Sequence, residues 1–470
     1  MITFLFRRFL TSVLVVLVST YIMYVLVDLA IDPLQRFRLS TAPNRQMQMD
    51  NLSAQLHLDD PVTVRYLDWL KGAAGCGWGN CDLGRDWEKN QAVTHQLSVA
   101  MGTTLQLVTA ATLLAVVFGV AIGVVSALRQ YTTFDYVITF ASFLAYSLPV
   151  FVVAVLLKEF VAIRFNDFLE DPYPARLFLH PSSGDVWSFA VTVLISVGTA
   201  LIVTELSVGI RNRRALGAAL TTAGIGVLLY FPMLYVWAAV DETWLLIAGL
   251  AALAAAVGAG VGVAWGGPDR RRSARTASLT ALAVAAWLFV DRLLQAWYPY
   301  VTNSRVRGRP LATLGPSTPN LDGSFWVHTL DTATHLLLPS LTLVLISLAQ
   351  YTRYVRASTL EVMNQDYIRT ARAKGLTERT VVMRHALRNA LLPLAAVVPV
   401  DVITLVGGAI ITETVFGWYG MGNLFVYALE HNLQYPVMGY ILVVAVFAVI
   451  ANVVSDLCYA LLDPRIRVRT

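Results

Sequence analysis

Few side chains in this sequence have types and spacings that could do chemistry. Cys76 and Cys81 lie in Gly-Cys-Gly-Trp-Gly-Asn-Cys, a spacing open to a small-loop disulfide, to free thiols, or, with His57 and His95, to a metal. The metal reading lacks a finger-like spacing. A disulfide closing so short a loop would contribute roughly 2 kcal/mol. His335 and His385 have no second ligand at metal spacing, so hydrogen-bonded structural roles suit both, and Cys458 is most simply a packing residue. No Gly-x-x-x-x-Gly-Lys-Ser/Thr phosphate loop occurs, so the chain cannot itself cradle ATP phosphates. No catalytic residue, metal or bound cofactor is expected. Two acids, Glu205 and Asp401, fall within apolar stretches. Ionisable groups at membrane depth usually face water or a partner. Glu205 lies near a basic loop and could simply pair with Arg211, whereas Asp401 is the best candidate for a cavity residue.

The elements that must position these groups are set by composition. Hydrophobic residues make up 57% and charged residues 14% of 470, and mean hydropathy is +0.62. A soluble domain carries about 25% charged residues. Most of this chain must therefore face lipid, and the fold class is an all-α integral membrane protein. The net charge of +5 is modest and does not gather into one basic face, which excludes a nucleic-acid partner. A spanning helix needs about 20 mostly apolar residues. Ten such runs occur, near 9–29, 97–128, 136–165, 187–209, 215–238, 244–265, 278–297, 332–356, 394–415 and 436–462. They are continuous and do not alternate at period two, which favours a helical bundle over a barrel. Ten crossings put both termini on one side. With that side cytoplasmic, 21 of 35 Lys/Arg fall inside, from Arg7 and Arg8 to Arg465, Arg467 and Arg469. The positive-inside rule selects this N-in, C-in topology, against which only Arg305, Arg307 and Arg309 stand. The first run reads as an uncleaved anchor, since no small-residue cleavage site comes after it.

Six regions result: an anchor helix over 1–29, an extracytoplasmic cap over 30–96, core helices over 97–165, a four-helix block over 187–297, an outer loop over 298–331, and core helices over 332–470. The cap holds 7 Lys/Arg, 8 Asp/Glu, several aromatics and a short helix near 60–71. The 187–297 block is rich in Ala, Val, Leu and Gly, with basic connections Arg-Asn-Arg-Arg and Asp-Arg-Arg-Arg. Four crossings can be inserted without inverting the downstream helices, and the block reads as peripheral, lipid-facing helices with basic anchors.

The cytoplasmic stretch 351–393 is the most informative. It reads as a helix leaving the membrane, a short helix near 368–374, a break at Gly375 and a second helix returning before Pro393. Ala371 and Ala373 offer small surfaces to another protein's backbone, and Arg369, Arg372 and Lys374 offer salt-bridge donors. A basic amphipathic loop lying on anionic headgroups is the alternative.

This stretch resembles the permease subunits of binding-protein-dependent ABC importers, in the dipeptide/oligopeptide/nickel branch. The resemblance rests on Asp366-Tyr-Ile-Arg-Thr-Ala-Arg-Ala-Lys-Gly375 and Arg384-His-Ala-Leu-Arg-Asn-Ala-Leu-Leu-Pro393. It recurs at Asp59-Asp-Pro, Tyr66-Leu-Asp-Trp-Leu, Cys81-Asp-Leu-Gly-Arg-Asp, His335-Leu-Leu-Leu-Pro-Ser-Leu-Thr-Leu, Thr412-Glu-Thr-Val-Phe-Gly-Trp-Tyr-Gly-Met-Gly and Leu461-Leu-Asp-Pro-Arg-Ile-Arg. It covers about 1–165 and 330–470, not 187–297. It implies a type I permease core of six helices, here with four inserted, in the bacterial plasma membrane. It further implies a second homologous permease, two ATP-binding subunits that hold ATP and Mg, an extracytoplasmic substrate-binding protein that delivers di- or oligopeptides, and surrounding membrane lipids. The wider superfamily opens this loop with Glu-Ala-Ala, where this chain has Arg369-Thr370-Ala371, so the partner's groove should be acidic. The coupling element would comprise Tyr367, Arg369, Thr370, Ala371, Arg372, Ala373, Lys374, Gly375 and Leu376, within the loop 357–393. Asp401 could attract a peptide ammonium or be satisfied by a neighbouring helix. Glu413 and Trp418 fall in an outer loop that reads as a gate or receptor contact, with packing the stronger reading for Trp418. An ion-gradient-driven secondary transporter is the competing function, though it predicts inverted repeats and midplane charges that the sequence does not display.

Overall fold

The structure is a computed structural model and describes residues 2–41, 43–170, 186–239 and 243–462. The C-terminal Pro464-Arg465-Ile-Arg467 part of the motif and Arg469 lie outside the described residues. Among the described residues seven helices are long and apolar enough to cross a membrane, and the spans number up to ten if each of three bent pairs counts as one. These seven helices and three pairs overlap the ten apolar runs. The sharpest bend has a local cause. Between α4 (Thr133–Ser147) and α5 (Val150–Leu157) the axis turns by 105°, because Pro149 drives Leu148 into extended backbone.

The chain packs as two compact units: Met1–Val161, Thr313–Pro316 and Leu336–Thr470 in one, Ala162–Ala312 and Ser317–His335 in the other. In the first, α3 (Val93–Leu128) packs on α11 (Phe325–Met363), whose residues from Leu336 onward belong to this unit. Gly119 and Gly123 permit the contact, since a Cβ at either would press within 2.8–2.9 Å of Tyr351, Thr352 or Val355. Without a hydrophobic driving force between helices in lipid, such close backbone approach is a main source of association.

The stretch 30–96 folds as a cap on α1 (Ile2–Ala30), α3 and the last helix, α16 (Gln434–Leu462). Its helix α2 (Val62–Ala74) carries Tyr66 and Trp69 into an apolar cluster with Tyr24, Leu97 and Val437. The Tyr66 hydroxyl donates to Leu17 O at 3.1 Å, and Arg65 pairs with Asp28 at 2.7 Å. A disulfide joins Cys76 and Cys81, whose Cα atoms are 3.8 Å apart. A short hairpin, Arg85–Asp86 with Gln91–Ala92, projects Glu88 toward α15 (Met421–Glu430). There Glu88 accepts from Arg36 at 2.6 Å and from the Tyr427 hydroxyl at 3.1 Å, while Lys89 sits 3.8 Å over the Tyr427 ring.

The second unit contains α6 (Val186–Ser207), α7 (Arg213–Leu228), α8 (Tyr230–Ala239), α9 (Trp244–Trp265) and α10 (Arg270–Gln295). An aromatic core gathers Trp237, Tyr300 and Trp326. The buried Asp331 accepts from the Thr318 amide at 2.8 Å and its hydroxyl at 2.6 Å, and Tyr300 bonds Thr334 at 2.9 Å. His335 is a structural residue here, its Nδ1 2.8 Å from Asp331 O. Arg309, one of the three arginines that stand against the N-in, C-in expectation, pairs with Asp167 at 2.8 Å.

Burial works against the Glu88 charge, but the Arg36 and Tyr427 hydrogen bonds and nearby His431 outweigh it and hold its carboxyl below the usual glutamate range. Its stabilisation is therefore complete at neutral pH and drains away as pH falls through that depressed value. Glu88→Gln should speed amide exchange across 85–92 about fivefold at pH 7, equivalent to about 1 kcal/mol. By exchange mass spectrometry the gap from wild type should shrink as pH falls below the usual glutamate range and close once pH is below the depressed value.

Candidate functional site

The loop after α11 folds into a knuckle. Its helix α12 (Asp366–Ala373) opens after Gln365 in extended backbone. One side is apolar: Ile368 and Ala371 are buried with Val381 and Ala386, and Val362 and Met363 pack against them. The helix stops in a Schellman turn, with Gly375 N donating to Arg372 O at 2.9 Å and Leu376 N to Ala371 O at 3.4 Å. Gly375 has φ +75°, which explains the glycine, since a Cβ there would touch nothing within 4 Å. Arg372 closes the turn from outside with two bonds to Glu378, at 2.7 and 3.1 Å.

This geometry corrects one expectation. Ala371 is 6% exposed and faces the chain's own cluster, so its smallness serves the crossing of α12 over 381–386 and not an incoming backbone. Ala373 is the exposed alanine. Tyr367, Arg369, Thr370, Lys374, Gly375 and Leu376 are exposed with it, and Asn389 donates to the Tyr367 hydroxyl at 2.8 Å. Arg372 is committed to Glu378, and Arg369 has Asp366 3.7 Å away. The return path is a π-helical turn, Val381–Ala386, followed by α13 (Leu392–Gly408), and the two arms meet at 46°.

Above the knuckle, Arg356 of α11 forks onto Asp135 with bonds of 2.7 and 2.9 Å. The carboxylate is 2% exposed and also accepts from Ser126 and from the Tyr131 amide. One helix thus grips the whole α3–α4 turn. Arg353, three residues away, lies 4.0 Å over the Tyr146 ring. Nothing local in the sequence announces this pair, whose members are 221 positions apart.

Asp401 sits half-buried on α13, with the Gln350 amide at 3.5 Å and the Tyr351 phenol turned toward it. Glu413 is 1% exposed on α14 (Ile410–Phe416). Its carboxylate accepts from Thr104 of α3 at 2.6 Å and from Asn423 N at 2.9 Å, while Thr104 accepts from Met421 N at 2.8 Å. Trp418 is buried at 1% exposure, and its amide donates to Glu413 O at 2.8 Å. Glu413 and Trp418 therefore tie the 413–423 turn down. The Thr104 partner was not visible in the sequence.

The sequence profile of the binding-protein-dependent transport system inner membrane component matches residues 119–468, and that of the N-terminal part of such membrane components matches 1–108. A Brucella suis biovar 1 (strain 1330) protein named as a peptide permease is 28% identical over 100% of both chains. The oligopeptide transport system permease protein of Mycobacterium tuberculosis (strain ATCC 25618 / H37Rv) is 26% identical over 99% of each. The dipeptide transport system permease protein of Escherichia coli (strain K12) is 47% identical over 147 residues, 31% of this chain and 42% of that one. The first two alignments run through 187–297, which the motif resemblance leaves out.

Removing either member of the Asp135–Arg356 pair strands a charge in a low-dielectric surrounding. Asp135→Asn or Arg356→Leu alone should destabilise the protein by about 3 kcal/mol. The double variant should regain at least half of that in thermal melts, whereas simple addition of the two losses would show the pair is not coupled. The knuckle, the helices it is bolted to and the profile match together identify the chain as a member of the family of inner membrane components of binding-protein-dependent transport systems.

Proposed function

We propose that this chain is the permease of an ATP-driven importer of di- and oligopeptides, forming half of a translocation pore with a second homologous permease. The observation that carries the reading is the knuckle at 366–376, a rigid, basic protrusion that turns Ala373, Lys374 and Leu376 outward. Two ATP-binding subunits would grip it and hold the ATP and Mg, neither of which this chain can cradle. An extracytoplasmic binding protein would deliver substrate. The names of the relatives support peptide as the cargo. The arginine distribution supports an orientation with both termini in the cytoplasm and the 30–96 cap outside.

The mechanics rest on the contacts. Closure of the motor subunits displaces the knuckle. The Ile368–Ala371 cluster passes that displacement to α11, and the Arg356 fork passes it on to the α3–α4 turn, a two-state rigid-body switch. Asp401 is proposed as a pathway residue, half-buried beside Gln350 and suited to a peptide's ammonium. Glu413 would act on the pathway by fixing the 413–423 turn. The 187–297 block is accessory in this scheme.

The test uses proteoliposomes holding the full transporter. Ala373→Arg and Lys374→Glu alter only exposed positions, so both should retain wild-type melting while ATP-driven peptide uptake falls at least about tenfold, about 1.4 kcal/mol of coupling. Ala371→Arg should instead lower the melting temperature, since it forces a charge into the cluster. Undiminished uptake by both surface variants, or ion-driven uptake by this chain without any ATPase, would overturn the reading.

A further inference from the structure

We propose that the four-helix block binds one anionic phospholipid, with an acyl chain in an apolar groove and the phosphate on an arginine cluster. The groove has a volume of about 430 Å³ and lies among α7, α8, α9 and α10, lined by residues such as Met233, Leu250, Ala254, Val257 and Ala285. Two features of the sequence open it. The axis bends by 46° between α7 and α8, and Ala251, Ala254, Ala281 and Ala285 put small side chains along the facing helices. Thr222 is the lone hydroxyl in the lining, and it is turned back to Ala218 O at 2.8 Å. One end is closed by aromatics, Trp237 and Phe289 both contacting Trp326, with ring centroids 5.1 and 5.4 Å apart. So dry a slot suits hydrocarbon.

The opposite end of the helices is strongly basic. Arg211, Arg213 and Arg214 precede or open α7, and Arg270, Arg271, Arg272 and Arg275 open α10. The two runs meet in space, because the Arg214 guanidinium lies against Gly267 and the Trp265 ring against Gly217. Two acids lie at this end among the described residues: Asp269, 4.0 Å from Arg272, and Glu205, whose carboxylate accepts from the Ile210 amide at 2.9 Å beside Arg211. Seven cations outnumber these two acids and leave room for an anion. Along the helices the groove begins six residues beyond Arg275, at Ala281, and nine beyond Arg213, at Thr222. At 1.5 Å per residue that is about 9 to 14 Å, the reach from a phosphate through its glycerol ester into an acyl chain. Basic pockets at the ends of membrane helices take anionic headgroups. A zwitterionic lipid would set its own ammonium against the arginines.

The full-length protein, purified in detergent and delipidated, should be titrated with phosphatidylglycerol and phosphatidylcholine of identical acyl chains and read by native mass spectrometry. One-to-one phosphatidylglycerol adducts should be favoured at least about tenfold, because the choline ammonium of phosphatidylcholine offsets its phosphate against the arginines and glycerol does not. Soluble glycerophosphate, which lacks the chains, should not bind. The triple variant Arg213→Gln/Arg214→Gln/Arg275→Gln should erase the headgroup preference and still hold both lipids. Ala254→Leu, or the milder Ala285→Val, should melt like wild type and lose both adducts. Equal adducts of the two lipids with wild type, undiminished adducts after groove filling, or a dimer that groove filling breaks would overturn the proposal.

Discussion

The mechanical competence of the 366–376 knuckle depends on keeping Ile368 and Ala371 out of water. An eight-residue helix has no stability of its own, because nucleation costs more than so few hydrogen bonds return. What holds α12 is the contact of those two side chains with Val381 and Ala386, sealed by the turn at Gly375 and by Arg372 on Glu378. A loop lacking that support would take up any push as local disorder. Because it is buttressed from within, displacement at its exposed face must move the helices at its base. The basic face and the buried face thus have separate duties on one short helix.

Buried acids recur, and each is handled alike. Asp135 takes Arg356, Ser126 and a backbone amide; Glu413 takes Thr104 and the Asn423 amide; Asp331 takes Thr318 twice; Asp291 accepts from Tyr230 at 3.1 Å and Gln295 at 2.8 Å. A low dielectric makes a satisfied network strong and an unsatisfied one very costly. The first three sit where a helix meets a turn, so they fix helix ends and leave the long apolar faces between them unpinned. Apolar faces packed through glycine and alanine can shift without breaking polar bonds. That combination suits a pore that must change shape without unfolding.

Much of this was legible in the sequence. The ten spans come from apolar run length alone, since lipid leaves the backbone no alternative to the helix. Gly375 marked its turn because positive φ has a residue-specific cost. The interactions that escaped notice are those between distant positions. Asp135 and Arg356 were indistinguishable from other loop charges, and Thr104 from any helical threonine. Ala371 was misjudged for a different reason: smallness reads the same whether the neighbour is the chain's own helix or another protein. Only the 3.6-residue phase linking Ile368 to Ala371 could have distinguished the two, and a helix of two turns gives that phase little weight.

In the proposed reading of 187–297 as an insertion, its four crossings would return the chain to the side it left, so that no later segment is inverted. The unit that contains the block also supplies its own needs. Its aromatic core around Trp237, Tyr300 and Trp326 and its Asp331 network are built, among the described residues, from positions within 162–312 and 317–335. A body with its own core places little demand on its host. That independence also frees its surface for another use, and the seven arginines beside an open apolar groove are the least expected feature of that surface. Anchoring alone asks for exposed charge and apolar helix faces, which the rest of the block already provides. It gives no reason for a slot closed by Trp237 and Phe289 at the end away from the arginines, whereas holding one lipid in a fixed place does.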